Sequence, residues 1–116
     1  MKFASNTKKA GSVRLFFFQE KKKFIGVCLE LDIVKEGTEL ERLRSHLREA
    51  VEGYVEVVCK ERLPDELLNR PAPKKYWDRY ASFVSSLEAT GRQTSHPRVH
   101  QLRTLDVLPL RELCTA

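Results

Sequence analysis

At 116 residues, with 41% hydrophobic and 32% charged side chains, the chain is long enough for one domain with one modest core, and its composition is not that of a disordered segment. No apolar run approaches the roughly eighteen residues a membrane helix needs, and residues 1–11 lack the apolar stretch of a secretory signal, so a cytoplasmic chain without membrane contact is expected. The net charge of +5 is uneven: residues 1–29 hold seven Lys/Arg against one Glu, residues 30–62 six against nine Asp/Glu, and residues 63–116 eight against six, so the middle is acidic between basic ends.

Residues 1–12 read as a flexible basic arm carrying Lys8 and Lys9. Residues 13–19 (VRLFFFQ) have the β-branched and aromatic content of a strand and are too few for a stable helix. A second strand is expected over residues 24–31 (FIGVCLEL), paired antiparallel with the first through a hairpin turn at Lys21, Lys22 and Lys23. Period-two alternation puts Ile25, Val27, Leu29 and Leu31 on one face, the better core candidate, and Phe24, Gly26, Cys28 and Glu30 on the other. Residues 33–36 suggest a short third strand, ended by Gly37.

The clearest local pattern is a long amphipathic helix over residues 38–58. Thr38 and Glu41 have the spacing of a capping box, and Leu40, Leu43, Leu47, Ala50, Val51, Tyr54 and Val58 recur every three or four residues, a stripe that must be buried. Pro64 breaks the pattern, residues 65–69 allow one more helical turn, and residues 70–73 (RPAP) cannot extend it. A further helix is expected over residues 74–87, with Tyr76, Tyr80, Phe83, Val84 and Leu87 on one side and Trp77 one position off. Residues 88–116 read as a tail in which residues 98–105 form an added strand or a partner-docking segment, and residues 109–113 open a helical turn.

Catalytic chemistry finds little support. Glu30 and Asp32, two apart, would share one side of a continuous strand, and paired carboxylates can hold a divalent cation, but no second pair converges on them. His96 and His100 have helical spacing interrupted by Pro97. There is no G-x-S-x-G, no phosphate-binding glycine loop and no C-x-x-C, so no cofactor, metal or enzymatic activity is expected. Cys28, Cys59 and Cys114 are odd in number and far apart, and reduced thiols are expected.

The segment of residues 26–58, GVCLELDIVKEGTELERLRSHLREAVEGYVEVV, resembles the HicB family of bacterial antitoxins in the order of its features: a two-stranded hairpin, the pair Glu30-Leu31 leaving the second strand, a short third strand, the turn Gly37-Thr38, and a helix containing Glu49-Ala50. The resemblance covers about residues 13–60. It implies an α+β fold with a small antiparallel sheet, a βββα core of partial RNase H-like type, in a domain of residues 13–87 whose additional helix lies toward the C-terminus. It also implies that the chain covers the active surface of a small basic toxin ribonuclease of HicA type. On that reading Glu30 and Asp32 supply charge complementarity, and Trp77, Arg79 and Tyr80 are the interface anchors. Two other readings compete. In one, Lys8, Lys9, Lys21, Lys22 and Lys23 bind nucleic acid, with affinity that falls steeply with salt. In the other, an exposed edge strand pairs with a second copy, and a homo-oligomer is the expected state.

Overall fold

The structure, a computed structural model, describes residues 6–90 and 103–114. The phenylalanine-rich run forms β1 (Ser12–Glu20), which turns at Lys21 and Lys22 and returns as β2 (Lys23–Cys28). Lys21 takes a left-handed φ of 59°, the conformation that lets a two-residue turn follow the twist of a hairpin. The chain then makes a tight turn through Leu29–Asp32, with Asp32 at φ 55°, and runs back as β3 (Ile33–Gly37). The fourth strand, β4 (Arg103–Pro109), pairs antiparallel with the free side of β1, giving the order β3-β2-β1-β4. The architecture is therefore α+β, with a four-stranded antiparallel sheet.

The acidic-apolar segment after β3 forms α1 (Leu40–Lys60), which buries Leu43, Leu47, Val51, Val55 and Val58. Leu63, just past its end, donates its N–H to Val58 O (2.9 Å), and Arg62 donates to Cys59 O (3.3 Å) with φ 54°. These are the paired closing bonds of a Schellman motif, here built on an arginine in place of the usual glycine. At the other end, the expected capping box does not form. Glu39, in extended conformation, occupies the N-cap position and makes no side-chain cap bond, so the helix starts one residue later than the Thr38-Glu41 spacing predicts.

A 3-10 turn (Asp65–Leu68) and the proline segment then carry the chain around the end of the sheet. The backbone N–H groups of Arg70 and Ala72 donate to Glu30 O and Leu29 O at 2.8 and 2.9 Å, so the segment is stitched to the β2-β3 turn. It delivers α2 (Lys74–Thr90) to the face opposite α1.

The sheet is consequently covered on both sides, and this corrects the expectation that one face of β2 is the core. Val13, Leu15, Phe17 and Cys28 pack with α1, whereas Phe16, Phe18, Ile25 and Val27 pack under Tyr76, Trp77, Tyr80 and Phe83 of α2. A central strand buried on both faces reads as a continuous apolar run, which explains the triple phenylalanine at Phe16, Phe17 and Phe18. Gly26 lies where the α1 layer is tightest: a Cβ there would stand 2.7 Å from the Phe17 ring and 3.2 Å from Leu47 Cδ2.

Three more expectations are revised. Residues 6–12, read as part of a flexible arm, are tied down: Asn6 is buried and accepts from Ser12 N, while Asn6 and Asn69 exchange bonds at 2.6 and 2.9 Å. Of the strand expected over residues 98–105, residues 98–102 lie outside the described residues, while 103–105 open a strand that runs on to Pro109 and is followed by the short α3 (Leu110–Leu113). Cys59 and Cys114, expected as thiols, form a disulfide with Cα atoms 5.7 Å apart, joining the last turn of α1 to the residue after α3. Spacing along the sequence carries no sign of this pairing, because β4 and α3 create the proximity. Cys28 stays a free, buried thiol.

Candidate interaction surface

Arg14 projects from β1 toward α2. Its Nε donates to Glu30 Oε2 at 2.6 Å, its backbone N–H donates to Glu30 Oε1 at 2.7 Å, and its Nη1 donates to the Tyr80 hydroxyl at 3.3 Å. The guanidinium also stands 5.2 Å from the ring centroids of both Trp77 and Tyr80, which meet edge to face. Burial alone lowers the affinity of Arg14 for its proton, but the Tyr80 and Glu30 hydrogen bonds and the Glu30 charge outweigh it, and the net shift is upward. Three of the residues picked out from the sequence, Glu30, Trp77 and Tyr80, are thus brought together around one cation that sequence reasoning did not single out. The Glu30 side chain is only 11% exposed, with both oxygens engaged. Its partner is sixteen positions away, and only the β1-β2 hairpin with its following turn brings the two into contact.

Asp32 does not share a continuous strand with Glu30, because β2 ends at Cys28; it is exposed in the turn. Arg79 lies one helical turn beyond Lys75, with its guanidinium 4.5 Å from the Phe18 ring centroid and Nη2 3.1 Å from Glu20 Oε2.

The lysines do not form one patch. Lys8 pairs with Asp65 at 2.7 Å and Lys9 is exposed in the turn between Thr7 and Ala10. Lys21 and Lys22 stand exposed at the hairpin tip, while Lys23 pairs with Glu36 at 2.7 Å. The two groups flank opposite ends of β1, a strand that spans roughly 30 Å at the usual rise per residue.

Among the described residues the sheet ends in two edge strands, β3 and β4. On β3, Val34 is 40% exposed between exposed Lys35 and the Ile33 that packs toward α1. Around this edge, residues 32–41 carry four carboxylates against one lysine. Glu36, Glu39 and Glu41 are partly neutralised by Lys23, Arg42 and Arg44. On β4, Val107 is 53% exposed, and Asp106 receives a two-pronged bond from Arg44 of α1 at 2.8 and 3.1 Å. The Asp106 hydrogen bond is the main reason the Arg44 shift is upward.

Among the described residues no three His, Cys, Asp or Glu side chains gather as a metal site, and no helix is long and apolar enough to cross a membrane. His96 and His100 lie outside the described residues. No protein-family model, no curated protein and no solved structure matches this chain.

Proposed function

We propose that this chain is a noncatalytic, antitoxin-like module that binds and occludes a small basic toxin ribonuclease of HicA type, with the β3 edge as its contact. The observation that carries the reading is the combination at that edge: a strand whose outer side is unpaired among the described residues, an exposed Val34, and a surrounding segment rich in carboxylates. An unpaired edge offers backbone donors and acceptors to a strand of another chain, and local negative charge favours a basic partner. The element order supports the same reading. Glu30-Leu31 lies in the turn leaving β2, Gly37-Thr38 joins β3 to α1, and Glu49-Ala50 lies within α1. In this scheme Asp32 belongs to the contact, whereas Glu30, Trp77 and Tyr80 act on the fold that supports it.

Co-expression with a small basic ribonuclease of this type tests the reading. The expected result is a stable complex on size exclusion with light scattering, relief of growth arrest, and weakened binding in the Asp32→Lys/Val34→Lys variant. A ribonuclease that stays fully active and separate in the presence of the folded chain, or a double variant that binds unchanged, defeats it.

A further inference from the structure

On the face away from α1, a cleft of about 130 Å³ opens between α2 and the β1-β4 pair, lined by Phe16, Phe18, Gln19, Arg79, Ser82 and Arg103. Its floor is apolar, since Phe16 and Phe18 are almost fully buried. Its walls carry two guanidinium groups from different elements. Arg79 is held over the Phe18 ring at 4.5 Å and Arg103 over the Phe83 ring at 5.3 Å. Stacking of this kind fixes the plane of a guanidinium while leaving its N–H edges free to donate. Glu20 engages one edge of Arg79, and among the described residues Arg103 makes no ion pair. The twelve residues before Arg103 contain two arginines and no Asp or Glu, so that stretch brings no carboxylate to offset it. Lys21 and Lys22, at the tip of the same hairpin that supplies Phe18 and Gln19, add further positive charge at this end of the sheet.

We infer that this cleft is a binding site for the phosphate group of a ligand, held between Arg79 and Arg103 with Ser82 and Gln19 as additional hydrogen-bond donors. Two guanidinium forks lining one cleft over an apolar floor suit a tetrahedral oxyanion, which accepts several charge-assisted bonds at once. The cleft volume suits one such group and leaves the remainder of a ligand outside, toward Lys21 and Lys22. The phosphate can belong to a small free molecule or to a nucleic-acid backbone, and the two sources present the same chemistry to the cleft. The site lies on the face opposite α1 and is independent of the β3 contact proposed above.

The test is a titration of the full chain with inorganic phosphate, and in parallel with a single-stranded 12-mer oligonucleotide, at low ionic strength, followed by amide chemical shifts. Saturable shifts centred on Phe18, Arg79, Ser82 and Arg103 are expected, and the Arg79→Gln/Arg103→Gln variant should weaken binding by about tenfold or more. Ser82→Glu places a carboxylate in the cleft while keeping both stacked arginines and the helix, and it should abolish the shifts in a chain that melts no lower than the parent. An oligonucleotide that binds far more tightly per phosphate, and with a steeper salt dependence, identifies a polymer backbone as the source; equal affinity per phosphate identifies a small free ligand. Absence of saturable binding of either probe, or binding unchanged in Ser82→Glu, overturns the proposal.

Discussion

Arg14 shows how a single side chain can organise a face of this molecule. Its guanidinium reaches Glu30 from the β2-β3 turn and Tyr80 from α2, so three separate segments share one cation. Glu30→Ala removes the acceptor for both the guanidinium and the Arg14 backbone N–H, and should cost about 1–3 kcal/mol in urea denaturation. Asp32→Asn, at an exposed position whose positive φ asparagine tolerates, should stay within about 0.5 kcal/mol of the parent. Cys28 makes the opposite kind of prediction. Burial, reinforced by the nearby Glu30 charge, pushes its thiol above the ordinary range, so the folded state holds this proton more tightly than the unfolded chain does. Its contribution to stability is complete below the unfolded thiol pKa of about 8.5 and declines as pH rises above that, by at most about 1.4 kcal/mol per pH unit. Unfolding free energies measured from pH 7.5 to 10 should therefore fall more steeply in the parent than in Cys28→Ala, and the native thiol should resist alkylation. Nothing in the sequence around Cys28 separates it from Cys59 or Cys114; only its place beneath α1 does.

At the level of the elements, α1 carries two glycine-type experiments of opposite sign. A Cβ on Gly53 meets nothing within 4 Å, so Gly53→Ala should stabilise by about 0.5–1 kcal/mol through helix propensity alone. Gly26, beneath the same helix, leaves no such room: Gly26→Ala must push the Phe17 ring or Leu47 aside and should cost about 1–3 kcal/mol. Thermal or urea denaturation of the two variants side by side checks both signs. The body of α1 was legible because an apolar stripe sustained from Leu40 to Val58 fits the helical period and no other. Its start was not, since T-x-x-E can be written at several registers and the local backbone placed Glu39 at the cap. The β1-β2 hairpin was equally plain from its two apolar runs and lysine turn. Which face of β2 belonged to the core was beyond alternation, because both faces are buried and the aromatic side of α2 arrives only after the proline segment has rounded the sheet. The same segment accounts for Trp77, which widens the buried stripe of α2 through Tyr80 and Arg14.

For the molecule as a whole, the long-range closures matter most, and these left the least trace in the sequence. The Cys59–Cys114 bond closes a loop across 55 positions and fastens β4 and α3 to α1. Chain entropy for a loop of that length corresponds to about 4 kcal/mol, so reductant, or the Cys59→Ala/Cys114→Ala variant, should lower unfolding stability by up to that amount in guanidinium titrations. A parent whose stability is indifferent to reductant would remove the bond from any structural role. The candidate surface divides in the same way: Glu30, Trp77, Arg79 and Tyr80 were visible as residue types, whereas Arg14, Arg103 and the open β3 edge emerge only from pairings distant in sequence. The neighbourhood of β1 has one further consequence. Its two flanking strands are made at very different times on the ribosome: β2 follows at once, but β4 emerges only after some eighty further residues have been joined. Throughout that interval one long side of the Leu15-Phe16-Phe17-Phe18 strand stays open to any passing chain, so the nascent polypeptide remains adhesive until β4 has been made, and release before Arg103 would favour clumping over simple loss of fold.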